Sequence, residues 1–276
     1  MVVVNLVYGV TLPLLSLVLD AQGISKTVIG LSIVAQASAG VVIAPFASRF
    51  IVRIGAARIM QLATLVAAIT FILLGIWQDV YAWFPLRFLL GATAAVLWSA
   101  SETAINELAD DNWRGRIIGI YGSAGAAGFA LGPIVLLITG TAGLYPFVAT
   151  AGLIILASVP LFWLHNQADS DAHHKHASLV RVFRLVPYIM LLNLTYAAAI
   201  EAFIAFFPLF GIHLGLGEAR SLSLLTMFAL GGVFLQLPLG WLADHVRRHT
   251  LLLTCIVLTL LGFALMPIFI AKPVLG

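Results

Sequence analysis

Residues 165–184 read HNQADSDAHHKHASLVRVFR and form the long polar stretch around which the 276-residue chain is arranged. Six apolar stretches precede it and three follow it, each near the roughly 20 residues that a membrane-spanning helix needs. Only 9% of the residues are charged, against about a quarter in soluble proteins. Because the bilayer interior offers backbone groups no hydrogen-bond partner, each stretch is predicted to be a helix. The sequence therefore predicts an all-α, polytopic membrane protein.

The predicted helices divide into three regions. A six-helix bundle is expected over residues 1–164, a cytoplasmic linker over 165–184, and a partial second bundle over 185–276. The chain opens with MVVVNLVYGV, which has neither the basic region nor the cleavage site of a signal peptide. The first helix is therefore expected not to be cleaved from the protein. The predicted spans are 2–19, 28–51, 59–77, 80–107, 117–141, 143–164, 185–210, 219–243 and 250–271.

Basic residues are distributed unequally between the two sides of the predicted bundle. One side carries Lys26, Arg220 and Lys272. The other side carries Arg49, Arg53, Arg58, Arg114, Arg116, Lys175, Arg181, Arg184, Arg247 and Arg248. Loops rich in Lys and Arg remain in the cytoplasm. The bias therefore predicts a cytoplasmic linker and amino terminus and an external carboxy terminus; the expected location is a bacterial inner membrane.

Two short basic loops occupy corresponding positions in the chain. Residues 48–59 read SRFIVRIGAARI, and residues 240–251 read GWLADHVRRHTL. Both follow a predicted helix that ends on the cytoplasmic side, and transporters are often built from duplicated bundles. We therefore expect helices 7 to 9 to repeat helices 1 to 3.

Three motifs accompany this repeat. The loop after helix 8 contains Gly240, Leu242, Ala243, Asp244 and Arg248, which resemble the signature G-x-L-A-D-R-x-G-R-R, with His245 and Arg247 in place of its Arg and Gly. Helix 4 contains R-x-x-x-G at Arg87 and Gly91, and helix 5 contains Gly119, Gly128, Gly132 and Pro133 in an antiporter-like spacing whose closing Gly pair is replaced by Leu136 and Leu137. With the six-helix half and the polar loop, the chain resembles the major facilitator superfamily (MFS) of transporters.

The resemblance implies a secondary active carrier that moves a small organic solute by alternating access, coupled to protons. The helix 5 pattern and the aromatic candidates favour efflux slightly over uptake. Family members have twelve helices and this chain supplies about nine, so we expect a fragment, a truncated gene or a split product. The alternative is a non-transporting membrane fragment or subunit that assembles with a partner supplying the missing helices.

Ionisable residues inside apolar segments are candidates for function because they are costly in lipid. Arg87 shares a face of helix 4 with Trp98 and Glu102, which predicts a wall of a substrate pathway. The alternative is that Arg87 and Glu102 extend towards opposite membrane surfaces. Glu201 lies in the middle of helix 7, where burial would favour reversible protonation. A neutral, hydrogen-bonded glutamic acid is the alternative for Glu201.

Uncharged polar residues on several predicted helices could orient a solute in an apolar pocket. Each could equally form an interhelical hydrogen bond. The candidates for the pathway are Asn5, Tyr8, Gln36, Tyr121, Asn193 and Tyr196, and Thr11, Ser16, Thr226 and Gln236 are further polar groups on the same helices.

Helix 5 carries glycines at spacings of three and four, followed by Pro133. Helices in lipid associate through close backbone packing, which glycine permits. We therefore expect a packing surface on which the two halves slide, with a bend at Pro133. The glycines are Gly119, Gly122, Gly125, Gly128 and Gly132.

A latch is predicted at the cytoplasmic surface. The resemblance places Asp244 near the amino terminus of helix 5, where the helix dipole and Arg114 and Arg116 would attract its carboxylate. Together with Gly240 and Arg248 of the same loop, this contact would hold the cytoplasmic side closed. The alternative is that Asp244 only offsets Arg247 and Arg248 in solvent.

The polar linker contains residue types that bind metals, but without a fixed spacing. Its composition suits a tether between bundles, so no metal site is expected. The sequence contains no G-x-x-x-x-G-K-[ST], H-E-x-x-H or G-x-S-x-G motif. We therefore expect no enzyme activity, cofactor or nucleic-acid partner; the lipid bilayer, a small solute and protons are the expected partners. The metal-binding residue types in the linker are Asp169, Asp171, His173, His174 and His176.

Overall fold

The computed structural model describes residues 1–108, 114–163, 187–246 and 248–271. Within these ranges the chain is built from long α-helices and contains no strand, so the all-α prediction is confirmed there. The first six helices are α1 (Val2–Ala21), α2 (Lys26–Ile54), α3 (Ala56–Ile76), α4 (Val80–Leu108), α5 (Arg114–Thr139) and α6 (Tyr145–Trp163). The remaining three are α7 (Pro187–His213), α8 (Glu218–His245) and α9 (Arg248–Ala271).

Local chemistry explains several helix boundaries. The hydroxyl of Ser25 accepts a hydrogen bond from the Val28 N–H at 3.4 Å and caps the start of α2. Gly55 has a φ of 89° between α2 and α3, a conformation that only glycine adopts readily. Asp79 accepts bonds from the Tyr81 and Ala82 amides at 3.1 and 3.0 Å, which caps the start of α4.

Helix length and composition fit a membrane. In the described part of the chain, seven helices are long and apolar enough to span a bilayer. The other two supply shorter apolar segments there, Tyr145–Leu161 in α6 and His249–Gly262 in α9. The predicted linker, 165–184, lies outside the described residues.

Helix α1 lies at the centre of the molecule. In its apolar window 78% of the residues are buried, against 11% in the corresponding window of α7. It packs along α5, while α2 packs along α4, and α3 packs against α4 and α6. Leu14, Leu15, Phe71, Trp83 and Phe147 belong to the main core.

Helices α7 and α8 pack against each other and join the first six helices along two lines. Helix α8 lies along α5, and α7 lies against α1. A second apolar cluster, containing Leu12, Ile33, Ile204 and Leu225, joins α1, α2, α7 and α8. The main described partner of α9 is α8.

The loops α1–α2, α3–α4, α5–α6 and α7–α8 are linked at one end of the bundle, which we call the sealed end. Gln22 donates to the Gln78 carbonyl at 3.3 Å, and Gln78 donates to the Gly143 carbonyl at 3.4 Å. Thr141 donates to the Glu218 carboxylate at 2.7 Å. Lys26 Nζ lies 3.5 Å from His213 Nε2 and pairs with Asp20. These contacts connect the first six helices to α7 and α8.

Candidate functional site

A cavity of about 930 Å³ lies between α1, α4 and α5 on one side and α7 and α8 on the other. Its lining comes from the first residues of α1, the first and middle parts of α5 and the middle of α8, so it lies towards the end opposite the sealed end, which we call the cavity end. The described lining residues are Met1, Asn5, Trp98, Tyr121, Gly122, Gly125, Ala126, Phe129, Tyr196, Ile200, Ile204, Met227, Phe228, Ala229, Gly231, Gly232, Leu235 and Gln236.

The cavity has the character of a site for an organic molecule. Its volume falls in the range of about 300–1,000 Å³ that is typical of small-molecule sites. Most of its described lining is aliphatic or aromatic, and amide side chains enter from two helices, Asn5 from α1 and Gln236 from α8. The described lining contains no Lys, Arg or His. Such a site can bury an apolar body and orient it through a few polar groups.

The contact between α4 and α5 fixes a polar corner of the cavity. Trp98 Nε1 donates a hydrogen bond to Glu102 Oε1 at 2.6 Å, one turn further along α4. The Tyr121 hydroxyl lies 2.9 Å from Ser101 Oγ, which joins α5 to α4. Trp98 is 41% exposed, and Glu102 is exposed beside it. The indole is therefore held by a carboxylate while its ring remains accessible.

Glu201 lies on α7 next to the lining residue Ile200. It is partly buried, and its carboxylate is within electrostatic range of the Tyr8 phenol on α1. Within the described part of the chain no hydrogen bond is formed by this carboxylate. Glu201 and Tyr8 thus lie near each other where the two sets of helices meet.

Other predicted pathway residues lie outside the described cavity lining. Gln36 is buried and donates to Thr11 Oγ1 at 3.3 Å, which links α2 to α1. Tyr8 packs against both apolar clusters. Asn193 is exposed on α7. The structure brings together Asn5, Trp98, Tyr121 and Tyr196 and leaves Tyr8, Gln36, Arg87 and Asn193 out of the lining.

Arg87 is completely buried in α4. None of its three guanidinium nitrogens has a hydrogen-bond partner among the described residues. One turn further along, a Cβ at Gly91 would overlap the backbone of Gln36, so this face of α4 packs tightly on α2. A buried cation without a partner is costly. Arg87 and Trp98 therefore have different surroundings, although they share a helix face in sequence.

The glycines of α5 meet different neighbours along the helix, from open space at one end, through side chains, to backbone. A Cβ at Gly119 would have nothing within 4 Å, whereas at Gly122 it would lie 2.5 Å from Gln236 Nε2. At Gly125 it would lie 3.1 Å from Asn5 Nδ2, and at Gly128 it would lie 2.5 Å from the Val2 carbonyl oxygen. At Gly132 it would overlap the backbone of Gly9. Pro133 lies within α5, which continues through it to Thr139.

The predicted latch falls on residues whose side chains lie outside what the structure describes. Gly240 and Asp244 belong to the last two turns of α8. Arg248 begins α9, and α5 begins with Arg114 and includes Arg116. The helix bounds are thus known, but the distance from the Asp244 carboxylate to either arginine is not.

Sequence reasoning left several lining residues unassigned. The α8 lining includes Phe228, Gly231, Gly232, Leu235 and Gln236, which are separated by helical spacings of three and four. Of these, the sequence identified only Gln236. This periodicity was a usable signal. Phe129, Ile200 and Ile204 resemble any other apolar residue of a spanning helix, so only packing assigns them to the cavity.

Comparison with known proteins identifies the family. The family model of the Major Facilitator Superfamily matches residues 1–275. The chain is 26% identical to the uncharacterized MFS-type transporter YfkF of Bacillus subtilis (strain 168), over 97% of this chain and 70% of that protein.

Two further similar proteins are shorter matches. The chain is 24% identical to the uncharacterized MFS-type transporter Ent638_1421 of Enterobacter sp. (strain 638), over 78% of this chain and 56% of the relative. It is 26% identical to the uncharacterized MFS-type transporter YcaD of Salmonella enteritidis PT4, over 79% of this chain and 57% of that protein. The matches thus cover from just over half to 70% of the length of these relatives. The chain belongs to the Major Facilitator Superfamily, a family of membrane transporters and not of enzymes.

Proposed function

We propose that the chain carries a small organic solute across the membrane as a secondary active transporter that works by alternating access. The cavity carries this proposal, because it lies between two sets of helices and towards the end opposite the sealed end. Rocking of one set against the other would expose the same site alternately to the two sides. The two sets correspond to the predicted bundles 1–164 and 185–276.

The positive-inside bias gives the proposal an orientation. The basic loops 48–59 and 240–251 lie at the cavity end, since they follow α2 and α8. With that end in the cytoplasm, this conformation faces inward. The described lining suits an amphipathic solute, and the helix 5 pattern favours efflux over uptake.

Proton coupling is proposed to involve Glu201. Its carboxylate is partly buried beside the cavity and lies near Tyr8 across the contact between α7 and α1. A carboxyl group in such a place can bind a proton in one arrangement of the helices and release it in the other. Arg87 is a second candidate, because a buried cation without a described partner responds to charge changes nearby.

A transport assay in proteoliposomes tests the proposal. A pH gradient should drive movement of a lipophilic fluorescent solute, and collapse of the gradient should stop it. Glu201→Gln should abolish gradient-driven movement while leaving membrane abundance unchanged. Asp79→Asn is the control, because it removes a carboxylate outside the cavity and keeps the cap of α4. Wild-type rates in the Glu201→Gln protein would contradict the assigned role of Glu201.

The latch at Asp244 is part of the proposal for the inward-closed state. An attraction of about 0.3–2 kcal/mol between a carboxylate and a helix amino terminus would bias the two arrangements several-fold. Asp244→Asn should therefore increase access of water-soluble reagents to the cavity from the basic-loop side. Unchanged access would leave Asp244 as a partner of Arg247 and Arg248 in solvent.

A second function is that of a membrane subunit which does not transport alone. The arrangement of α9 favours it, because α9 packs mainly on α8 and most of its apolar side chains that the structure describes are exposed. Under this alternative the reconstituted chain would show no gradient-driven transport. A photoreactive residue at Leu258 would then cross-link to a partner helix in native membranes and not only to lipid.

A further inference from the structure

We propose that the cavity selects cationic amphipathic solutes, with Glu102 as the counter-charge and the Trp98 ring as the surface that receives the cation. This proposal rests on the proposed function, since it defines the substrate class of the same cavity. Its starting point is the polar corner between α4 and α5, where Trp98 and Glu102 are bonded at 2.6 Å.

The charge distribution around the cavity favours a positive ligand. One carboxylate is bonded to a lining residue, Glu102 to Trp98, and a second, Glu201, follows the lining residue Ile200 in the chain. The described lining contains no cationic side chain to oppose them. A cleft that carries charge of one sign raises the local concentration of ligands of the opposite sign. The same carboxylates would repel an anionic solute.

Glu102 has one oxygen free for a ligand among the described contacts. Oε1 accepts the Trp98 indole bond, which fixes the direction of the carboxylate. No described hydrogen bond uses Oε2, and the side chain is exposed. Glu102 also lies within electrostatic range of the Tyr121 phenol, which lines the cavity from α5. The carboxylate is thus oriented before a solute arrives.

Aromatic rings complete the recognition. Trp98 and Tyr121 stand at this corner, while Tyr196 and Phe228 line the cavity from α7 and α8. The face of an aromatic ring attracts a cation within about 6 Å, and tryptophan does so most strongly. A delocalised organic cation therefore gains both apolar contact and charge complementarity. A neutral solute of the same shape gains only the first.

Binding of matched probes to the full chain in nanodiscs tests the charge preference. The probes are tetraphenylphosphonium, its anionic counterpart tetraphenylborate, and neutral triphenylphosphine oxide, measured by equilibrium dialysis. Glu102→Gln should raise the Kd of the cation about tenfold and change that of the neutral probe less than about twofold. The anion should bind no worse than before. Comparing each probe between variants cancels its partition into lipid.

Two control variants make the outcomes distinct. Asp79→Asn removes a carboxylate remote from the cavity and keeps the cap of α4, so it should leave all affinities unchanged. Gly232→Trp should fill the cavity, because Gly232 lines it and a Cβ there would meet nothing within 4 Å. It should abolish specific binding of the cation.

Each result decides between the charge preference and the site itself. Loss of cation binding in Gly232→Trp together with weakened binding in Glu102→Gln supports the proposal. Loss in Gly232→Trp with unchanged binding in Glu102→Gln overturns the charge preference and leaves the cavity as the solute site. Unchanged cation binding in both variants overturns the preference and also contradicts the cavity as the solute site of the proposed function.

Discussion

The two ends of the bundle are built differently. At the sealed end, four loops are joined by side-chain hydrogen bonds, and Leu209 and Leu222 are buried between the helices. At the cavity end, the helices enclose an open cavity, and side chains such as Trp98 remain accessible. The same helices form both ends, so residue size and loop contacts, not helix identity, decide which end is closed.

The glycines of α5 show this difference within one helix. Near the cavity end, Gly119 has no neighbour for a Cβ, while Gly128 and Gly132 lie against the backbone of α1. Because lipid provides no hydrophobic drive between helices, such close backbone contact is a main source of association. Helix α5 is thus open at Gly119 and in close backbone contact with the first half of α1 at Gly128 and Gly132.

The largest expected effect comes from adding one methyl group at a tightly packed glycine of α5, compared with the same change at an open one. Gly132→Ala would force a Cβ into the Gly9 backbone, and overpacking of this kind costs about 1–3 kcal/mol or more. The melting temperature in detergent should fall by several degrees. Gly119→Ala is the matched control and should leave it unchanged or slightly higher. Equal melting temperatures for the two variants would contradict the tight contact of α1 with α5.

Thiol accessibility compares the two ends directly. After Cys255→Ser removes the single native cysteine, Gln236→Cys should react with a water-soluble maleimide about tenfold faster, or more, than Leu222→Cys. The reason is that Gln236 lines the open cavity, whereas Leu222 is 1% exposed and reacts only after local opening. Similar rates would show that the sealed end is open for much of the time.

A smaller effect is expected from the hydrogen bond between Thr141 and Glu218. Both groups are exposed, so the bond contributes about 0.5–1 kcal/mol. Thr141→Val should speed maleimide labelling at Leu222→Cys two- to fivefold. Thr195→Val is the control, because the Thr195 hydroxyl bonds only to the Leu191 carbonyl of its own helix in the described structure. An identical increase in both variants would mean that the loop contact does not hold this end closed.

The smallest effect is expected from the ion pair of Asp20 and Lys26. Both side chains are partly exposed, at 26% and 48%, and exposed pairs contribute about 0–1 kcal/mol. Asp20→Asn should change labelling at Leu222→Cys by less than about twofold. The change should also vanish in high salt, which screens exposed charges. A tenfold change that survives high salt would make the pair a principal lock of the sealed end.

Much of this architecture could be predicted from the amino-acid sequence. The apolar stretches set the helices to within a few residues, because the bilayer leaves no alternative to a backbone that bonds within its own segment. Glycine spacing on helix 5 indicated a packing face, and the motifs around Arg87 and Asp244 indicated the family that the match over residues 1–275 establishes. These features are local, so a single stretch of sequence carries each one.

Tertiary structure decided which polar residues share a site. Helical spacing placed Arg87 and Trp98 on one face of helix 4, but Arg87 is buried near the contact with α2, while Trp98 opens to the cavity. Gln36 and Asn5 were equivalent candidates, yet one bonds to Thr11 and the other lines the cavity. The physical reason is that periodicity defines a face but not its neighbour at each depth. Only the packing of the other helices decides whether that neighbour is protein, lipid or an open cleft.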